Sequence, residues 1–272
     1  MNHVKWKHLL IGDFSWQRMV RSILFVYICV GIYVFFGSDR LIFLPPSASY
    51  QDTPEILKLT TSDGDRISAI YLPNPTATYT LLYAHGNAED LGQIFPVLQN
   101  LREMGFSVFS YDYRGYGTSE GQPSEGNAYE DIDAAYNYLT ANLGIAPTQI
   151  IAYGRSVGGG SAIDLASRQA LGGLVIESSF VTAFRVLTRI PIFPFDKFDN
   201  IAKLDRVNCP VLVMHGTADE VIPFWHGQQL FEAVQTPKQA LWVEGAGHND
   251  LSEVAGDRYV KALKEFSETL TP

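Results

Sequence analysis

Short apolar runs rich in β-branched and aromatic residues alternate along this chain with longer segments whose apolar positions recur at helical spacing. Residues 56–60 and 67–72 read as two strands joined through the turn residues Ser62, Asp63, Gly64 and Asp65. Residues 81–84, 107–111, 150–153, 173–176, 211–214 and 240–243 are apolar almost throughout, as strands buried on both faces are. Between them the spacing predicts helices over 94–104 and 128–142, one opened by Val157, one over 225–234, and a last one over 251–270. In the second of these, Ile132, Ala135, Tyr136 and Leu139 form the apolar stripe. Strand and helix alternate six times, which predicts an α/β domain with a mostly parallel central sheet and helices on both faces. Sheets of this kind bind ligands beyond the carboxyl ends of their strands, so the informative residues are those that follow each strand.

The most apolar stretch precedes all of this. From Ser22 to Ser38 there is no charge over 17 residues, and Met19, Val20 and residues 41–44 extend the apolar length. A helix of that length reaches the lower limit for crossing a hydrocarbon core. Trp16, Tyr33, Phe35 and Phe36 are placed to sit near the interfaces. Three readings compete: a membrane anchor over residues 1–44, a cleaved signal peptide, and a buried core helix. No A-x-A site follows the run. Lys5, Lys7, Arg18 and Arg21 precede it and only Arg40 lies close behind, which favours an anchor with its N-terminus in the cytoplasm. The main domain, residues 45–272, then lies on the extracytoplasmic side, and Pro45 and Pro46 mark the exit.

Composition narrows the class. The 272 residues carry a net charge of −9, although residues 1–22 carry +3, so there is no basic face for a nucleic acid. Cys29 falls in the apolar stretch and Cys209 before a core strand, so no disulfide is expected. No Cys/His cluster has zinc spacing, and neither a metal nor an organic cofactor is implied.

The chemistry lies behind three strands. The strand 150–153 runs into Gly154-Arg155-Ser156-Val157-Gly158, a G-x-S-x-G between strand and helix. Glycines flanking the serine permit the sharp turn that lifts a nucleophile above a sheet, at the positive end of the next helix. A Gly-rich turn with an incidental serine is the plainer alternative. Serine needs a base, and His248 stands in the Gly-rich loop after strand 240–243. His3 and His8 belong to the basic tail. His85 and His215 sit in His-Gly pairs at strand ends, where a structural role is expected, and His226 lies on a helix read as surface-facing. The acid is Asp219, 29 residues before His248 in the loop after strand 211–214; Glu220 beside it and Glu177 at the end of strand 173–176 are rivals. The order Ser, Asp, His is the one G-x-S-x-G enzymes use. Oxyanion donors are expected from the backbone N–H of Val157 and from the loop His85-Gly86-Asn87-Ala88, where Asn87 supplies the second N–H.

These stretches give the chain a resemblance. YAHGNAEDLG, YDYRGYGTSEGQPSEGNAYED, YGRSVGGGSA, VIESSF, CPVLVMHGTADEVIPF and EGAGHND, spread over most of residues 50–272, resemble the α/β-hydrolase superfamily. Within it the chain is similar to the membrane-anchored, small-cap branch that includes protein depalmitoylases and bacterial relatives. The resemblance implies an α/β-hydrolase fold with a short cap at 178–205 and an N-terminal transmembrane helix. It also implies that Asp112 and Arg114 support the loops. The cap holds Phe180, Phe184, Phe193, Phe195 and Phe198 with Pro191 and Pro194. They read either as cap packing or as an apolar wall for an acyl chain, with Phe180 and Phe184 the candidate contacts. The expected reaction is hydrolysis of carboxylic esters or thioesters of acyl or lipid-like substrates at a bilayer. A serine peptidase is the alternative within hydrolases, and an idle membrane-tethered scaffold the alternative outside them. Ser156 in the nucleophile position excludes a dehalogenase and disfavours an epoxide hydrolase.

Overall fold

A computed structural model describes residues 15–272; His3, Lys5, Lys7 and His8 of the basic tail lie outside the described residues. The chain forms two units, Met1–Leu41 and Ile42–Pro272.

The first unit is built on one helix, α1 (Trp16–Ile42), of 27 residues. It outruns the uncharged stretch because Arg18, Arg21, Asp39 and Arg40 continue the helical backbone at both ends. At about 1.5 Å per residue it is about 40 Å long, against about 30 Å of hydrocarbon in a bilayer. By length and composition α1 can cross a membrane, a test that a signal sequence also passes. None of its apolar window is buried.

The second unit holds one eight-stranded sheet in the order β1-β2-β4-β3-β5-β6-β7-β8. The strands are β1 (Leu57–Thr60), β2 (Arg66–Leu72), β3 (Thr80–Ala84), β4 (Ser107–Tyr111), β5 (Ile150–Arg155), β6 (Gly173–Glu177), β7 (Val211–Gly216) and β8 (Lys238–Val243). The β1–β2 and β2–β4 pairs are antiparallel and all others are parallel. From β3 the chain crosses to β4 on one side and later to β5 on the other, which opens a crevice at the carboxyl end of β3. There the register sets Ala84 opposite Gly154, and Arg155 opposite Glu177.

Neighbouring strand residues serve opposite faces, as the pleat requires. Leu81, Val108, Ile151 and Val175 pack under α2 (Leu91–Glu103) and α7 (Asp257–Glu268), through Ile94, Leu98, Leu263 and Phe266. Leu82, Phe109, Ala152 and Leu174 pack under α3 (Glu125–Asn137), α4 (Gly158–Arg168) and α5 (Trp225–Ala233), through Ile132, Ile163 and Leu230.

Several helix ends differ from the periodicity. α2 begins before Ile94 because Asp90 caps it in a capping box with Gln93. α3 begins at Glu125 because the Ser124 side chain accepts from Asn127 N–H, and its predicted last turn is a π-turn over Tyr138–Asn142. The single helix expected over 251–270 is two, α6 (Leu251–Ala255) and α7, because Gly256 takes φ 53° and breaks the run. His226, read as surface-facing, is fully buried on the inner side of α5. The segment 178–205, expected to form the cap, has as its regular structure only the single 3₁₀ turns Phe184–Val186 and Leu204–Arg206.

Candidate active site

Strand β5 delivers Ser156 in a left-handed backbone conformation, φ 54°, which β-carbon crowding makes costly without support. Two glycines supply the room: a β-carbon on Gly154 would strike the Gly158–Gly159 backbone, and one on Gly158 would strike the Ala84 carbonyl. The turn is then pinned on both sides. Ser156 N–H donates to Glu177 O at 2.9 Å, and the Ser179 hydroxyl donates to Ser156 O at 2.8 Å.

Ser156 Oγ lies 3.0 Å from His248 Nε2, and His248 Nδ1 lies 2.8 Å from Asp219 Oδ2. The three residues come from the ends of β5, β8 and β7. The second Asp219 oxygen accepts from Val221 and Ile222 N–H at 2.9 and 2.7 Å, which fixes the carboxylate plane. Burial pushes the Asp219 carboxyl up, but hydrogen bonds from His215 and His248 and the nearby His248 charge outweigh it. The group is held well below the usual carboxylate range. Glu177, the rival acid, does not reach His248. It accepts from the Tyr153 and Tyr259 hydroxyls and lies 3.5 Å from Arg155 Nε.

The loop after β3 faces the same serine, since a β-carbon on Gly86 would sit 3.5 Å from Ser156 Cβ. Gly86 N–H is taken by Glu89 at 2.6 Å. Among the described residues, the N–H groups of Asn87 and Val157 have no protein acceptor. Two N–H donors without a protein acceptor, on the two loops that flank Ser156, are the kind of groups a developing oxyanion needs.

Asp112 and Arg114 occupy the supporting positions. Asp112 accepts from Leu91 N–H and the Tyr50 hydroxyl and lies 3.2 Å from His85 Nε2. Arg114, fully buried, donates to Asp131 and Glu130 and pairs with Asp63. The sequence reading missed Arg155. Its guanidinium donates to both Glu89 oxygens at 2.9 and 3.1 Å, to Asn249 Oδ1 at 2.7 Å and to the His248 carbonyl at 3.4 Å. One guanidinium therefore ties the loop after β3 to the loop that carries His248. The available signal was a charged side chain at the variable position before the elbow serine.

The cap aromatics divide. Phe180 is buried against Phe198 as core, while half-buried Phe184 meets Phe193 and Phe195 at ring separations of 6.5 and 6.1 Å. Buried His226 accepts from Val181 N–H at 3.2 Å, which requires a neutral imidazole. Burial, with the His215 and Arg185 charges, pushes it down from 6.5 to about 4. A depressed histidine disfavours folding once the unfolded chain binds the proton. His226 therefore contributes stability above 6.5 that is lost as pH falls towards about 4. The fall in urea midpoint between about pH 7 and about pH 5 is expected to be shallower in His226→Gln than in the wild type.

Known proteins share this architecture. A family model described as "Serine aminopeptidase, S33" matches residues 75–191, and one described as "Prolyl oligopeptidase family" matches residues 192–270. Alpha/beta hydrolase domain-containing protein 17B of Xenopus tropicalis is 44% identical over 224 residues, 81% of this chain and 77% of the relative. The Homo sapiens protein of the same name is 43% identical over 224 residues, with the same shares of 81% and 77%. Among solved structures, an esterase of Pyrococcus furiosus superposes with a TM-score of 0.70 at 21% identity, covering 83% of this chain and 98% of that one.

Proposed function

The chain belongs to the α/β-hydrolase family, and we propose that within it this protein hydrolyses carboxylic esters or thioesters of acyl or lipid-like substrates through Ser156, His248 and Asp219. The observation that carries the reading is the continuous path from Ser156 Oγ to His248 at 3.0 Å and on to Asp219 at 2.8 Å. In the first step His248 Nε2 takes the serine proton as Oγ attacks the carbonyl carbon. The N–H groups of Asn87 and Val157 hold the oxyanion. The tetrahedral adduct collapses, and His248 returns the proton to the departing alcohol or thiol. Water, deprotonated by the same imidazole, then releases the acid from the acyl-enzyme. Asp219 keeps Nδ1 protonated throughout and balances the imidazolium.

Two features support an acyl substrate. Phe184, Phe193 and Phe195 form an aromatic group in a cap whose only helical pieces are single 3₁₀ turns. The apolar helix, read as an anchor, holds the domain beside lipid. The two family-model descriptions favour a second reading, a serine peptidase. A panel of acyl esters, acyl thioesters and aminoacyl amides separates the two. The proposal expects kcat/KM to rise with acyl length and to be at least about 100-fold higher for esters and thioesters than for amides, about 3 kcal/mol of transition-state preference. Amides turned over faster than esters would establish the peptidase.

The flanking charges support an anchor that leaves the catalytic domain extracytoplasmic. Protease added to intact cells is expected to remove a C-terminal tag; a protected tag places the domain in the cytoplasm.

A further inference from the structure

The last residue of the apolar helix and the residues that follow it are hydrogen-bonded to the loop after β3. The Ile42 carbonyl accepts from Asn87 Nδ2 at 2.5 Å. Leu44 N–H is shared between Asn87 Oδ1 at 2.9 Å and the Tyr116 hydroxyl at 3.0 Å, and Tyr116 in turn donates to Asn87 Oδ1 at 2.6 Å. Between these two residues Phe43 is buried, with its ring 6.2 Å from Tyr113, 6.4 Å from Tyr116 and 5.9 Å from Phe198. The far end of the segment is fastened as well. Ser49 N–H donates to Asp90 at 2.7 Å, and the Tyr50 hydroxyl donates to Asp112 at 2.6 Å.

The Asn87 side chain is held at both ends: Nδ2 donates to the Ile42 carbonyl, and Oδ1 accepts from Leu44 N–H, from the Tyr116 hydroxyl and, at 2.9 Å, from the N–H of its neighbour Ala88. Ala88 sits in a left-handed conformation, φ 58°, so the loop there is held rather than relaxed. The Asn87 backbone N–H, by contrast, has no protein acceptor among the described residues. A loop whose side chain is clamped and whose N–H is unspent is built to present that N–H. Its direction depends on residues more than forty positions earlier in the chain.

We propose that residues 42–44 and Tyr116 are a positioning device for the oxyanion hole. The Ile42 carbonyl, the Leu44 N–H and the Tyr116 hydroxyl hold the Asn87 amide, and through it aim the Asn87 N–H at the carbonyl oxygen of the substrate. This rests on the serine-hydrolase reading above and on Asn87 as oxyanion donor. It follows that the segment tethering the domain to the apolar helix also sets the geometry of catalysis.

Leu44 offers a test because the contact uses only its backbone. Leu44 is 56% exposed as a residue and Pro45 follows it, so Leu44→Pro deletes the N–H at a position already restricted by a proline. Tyr116→Phe removes a hydroxyl and no ring, and covers the case in which Leu44→Pro fails to fold. Full-length protein in detergent is assayed on a soluble short-chain ester, with Asn87→Ala and the Leu44→Pro/Asn87→Ala double variant alongside. Each single variant is expected to lower kcat by about 10- to 100-fold, the cost of a small misplacement, with KM changed less than about threefold. The midpoint of the kcat–pH profile stays where it is, because His248 and Asp219 are untouched. The double variant is expected to be no worse than the poorer single, since both act on one loop. Wild-type kcat in Leu44→Pro and Tyr116→Phe, with only a lowered melting temperature, would overturn the inference, as would losses that multiply in the double variant. Activity surviving in Ser156→Ala would instead overturn the underlying serine-hydrolase reading, whatever the tether variants do.

Discussion

Replacing Ser156 by alanine lowers kcat by about six orders of magnitude if the three residues act as a unit. The size follows from what remains. Without Oγ, the imidazole 3.0 Å away has no hydroxyl to deprotonate. The Asn87 and Val157 donors then serve only direct attack by water, which in such sites retains about 10³–10⁴-fold over the uncatalysed rate. Folding is expected to change little. Alanine meets the same φ of 54° and removes no hydrogen bond that fixes the elbow, because the pins are the backbone N–H and C=O of residue 156. Turnover of a purified long-chain thioester by wild type and variant, with melting curves for both, checks the pair of statements.

The second large effect is at Asp219. In Asp219→Asn, one side-chain oxygen stays with the N–H groups of Val221 and Ile222, which turns the new amide N–H₂ towards His248 Nδ1. Nδ1 becomes the acceptor, the proton moves to Nε2, and the ring points an N–H at Ser156. A base in the wrong tautomer costs about 10⁴ in kcat. Glu177→Gln is the matched comparison. Its carboxylate serves the Tyr153 and Tyr259 hydroxyls and does not touch His248. It is expected to cost about 1–3 kcal/mol of stability, with kcat within about tenfold of wild type. Steady-state kinetics and urea unfolding of the two variants separate the roles. The Asp219 carboxyl, held below its ordinary range, also contributes stability that is fully present above the unfolded carboxylate value and lost progressively as pH falls from there through the lower folded value. Asp219→Asn is therefore expected to unfold over a flatter acid limb.

What the sequence disclosed and what it hid divide along chain distance. The elbow around Ser156 was legible because its requirement is local: a strand, two glycines with no room for a β-carbon, and a helix start within five residues. The sheet was legible because apolar strands between amphipathic helices admit few arrangements. The capping box of Asp90 and Gln93 was also written in the sequence, but apolar periodicity places a helix by its core residues and passes over its polar first turn. Gly256 was visible in the same way, yet the apolar spacing runs across it without a phase break. His226 was misjudged because a lone histidine on a helix looks polar, whereas here it satisfies a buried N–H from the cap. The contacts of Ile42 and Leu44 with Asn87 and Tyr116 could not be read at all. They join backbone groups, which carry no residue signature, across separations of 43 to 72 positions.

The central claim is that Ser156 is an activated nucleophile, and its most direct test is covalent. Purified full-length protein is exposed to a fluorophosphonate probe beside Ser156→Ala, and the adduct is located by peptide mass. One adduct per chain, on Ser156 and absent from the variant, is the predicted result. A well-folded wild type that stays unlabelled, or an adduct on any other residue, would contradict it.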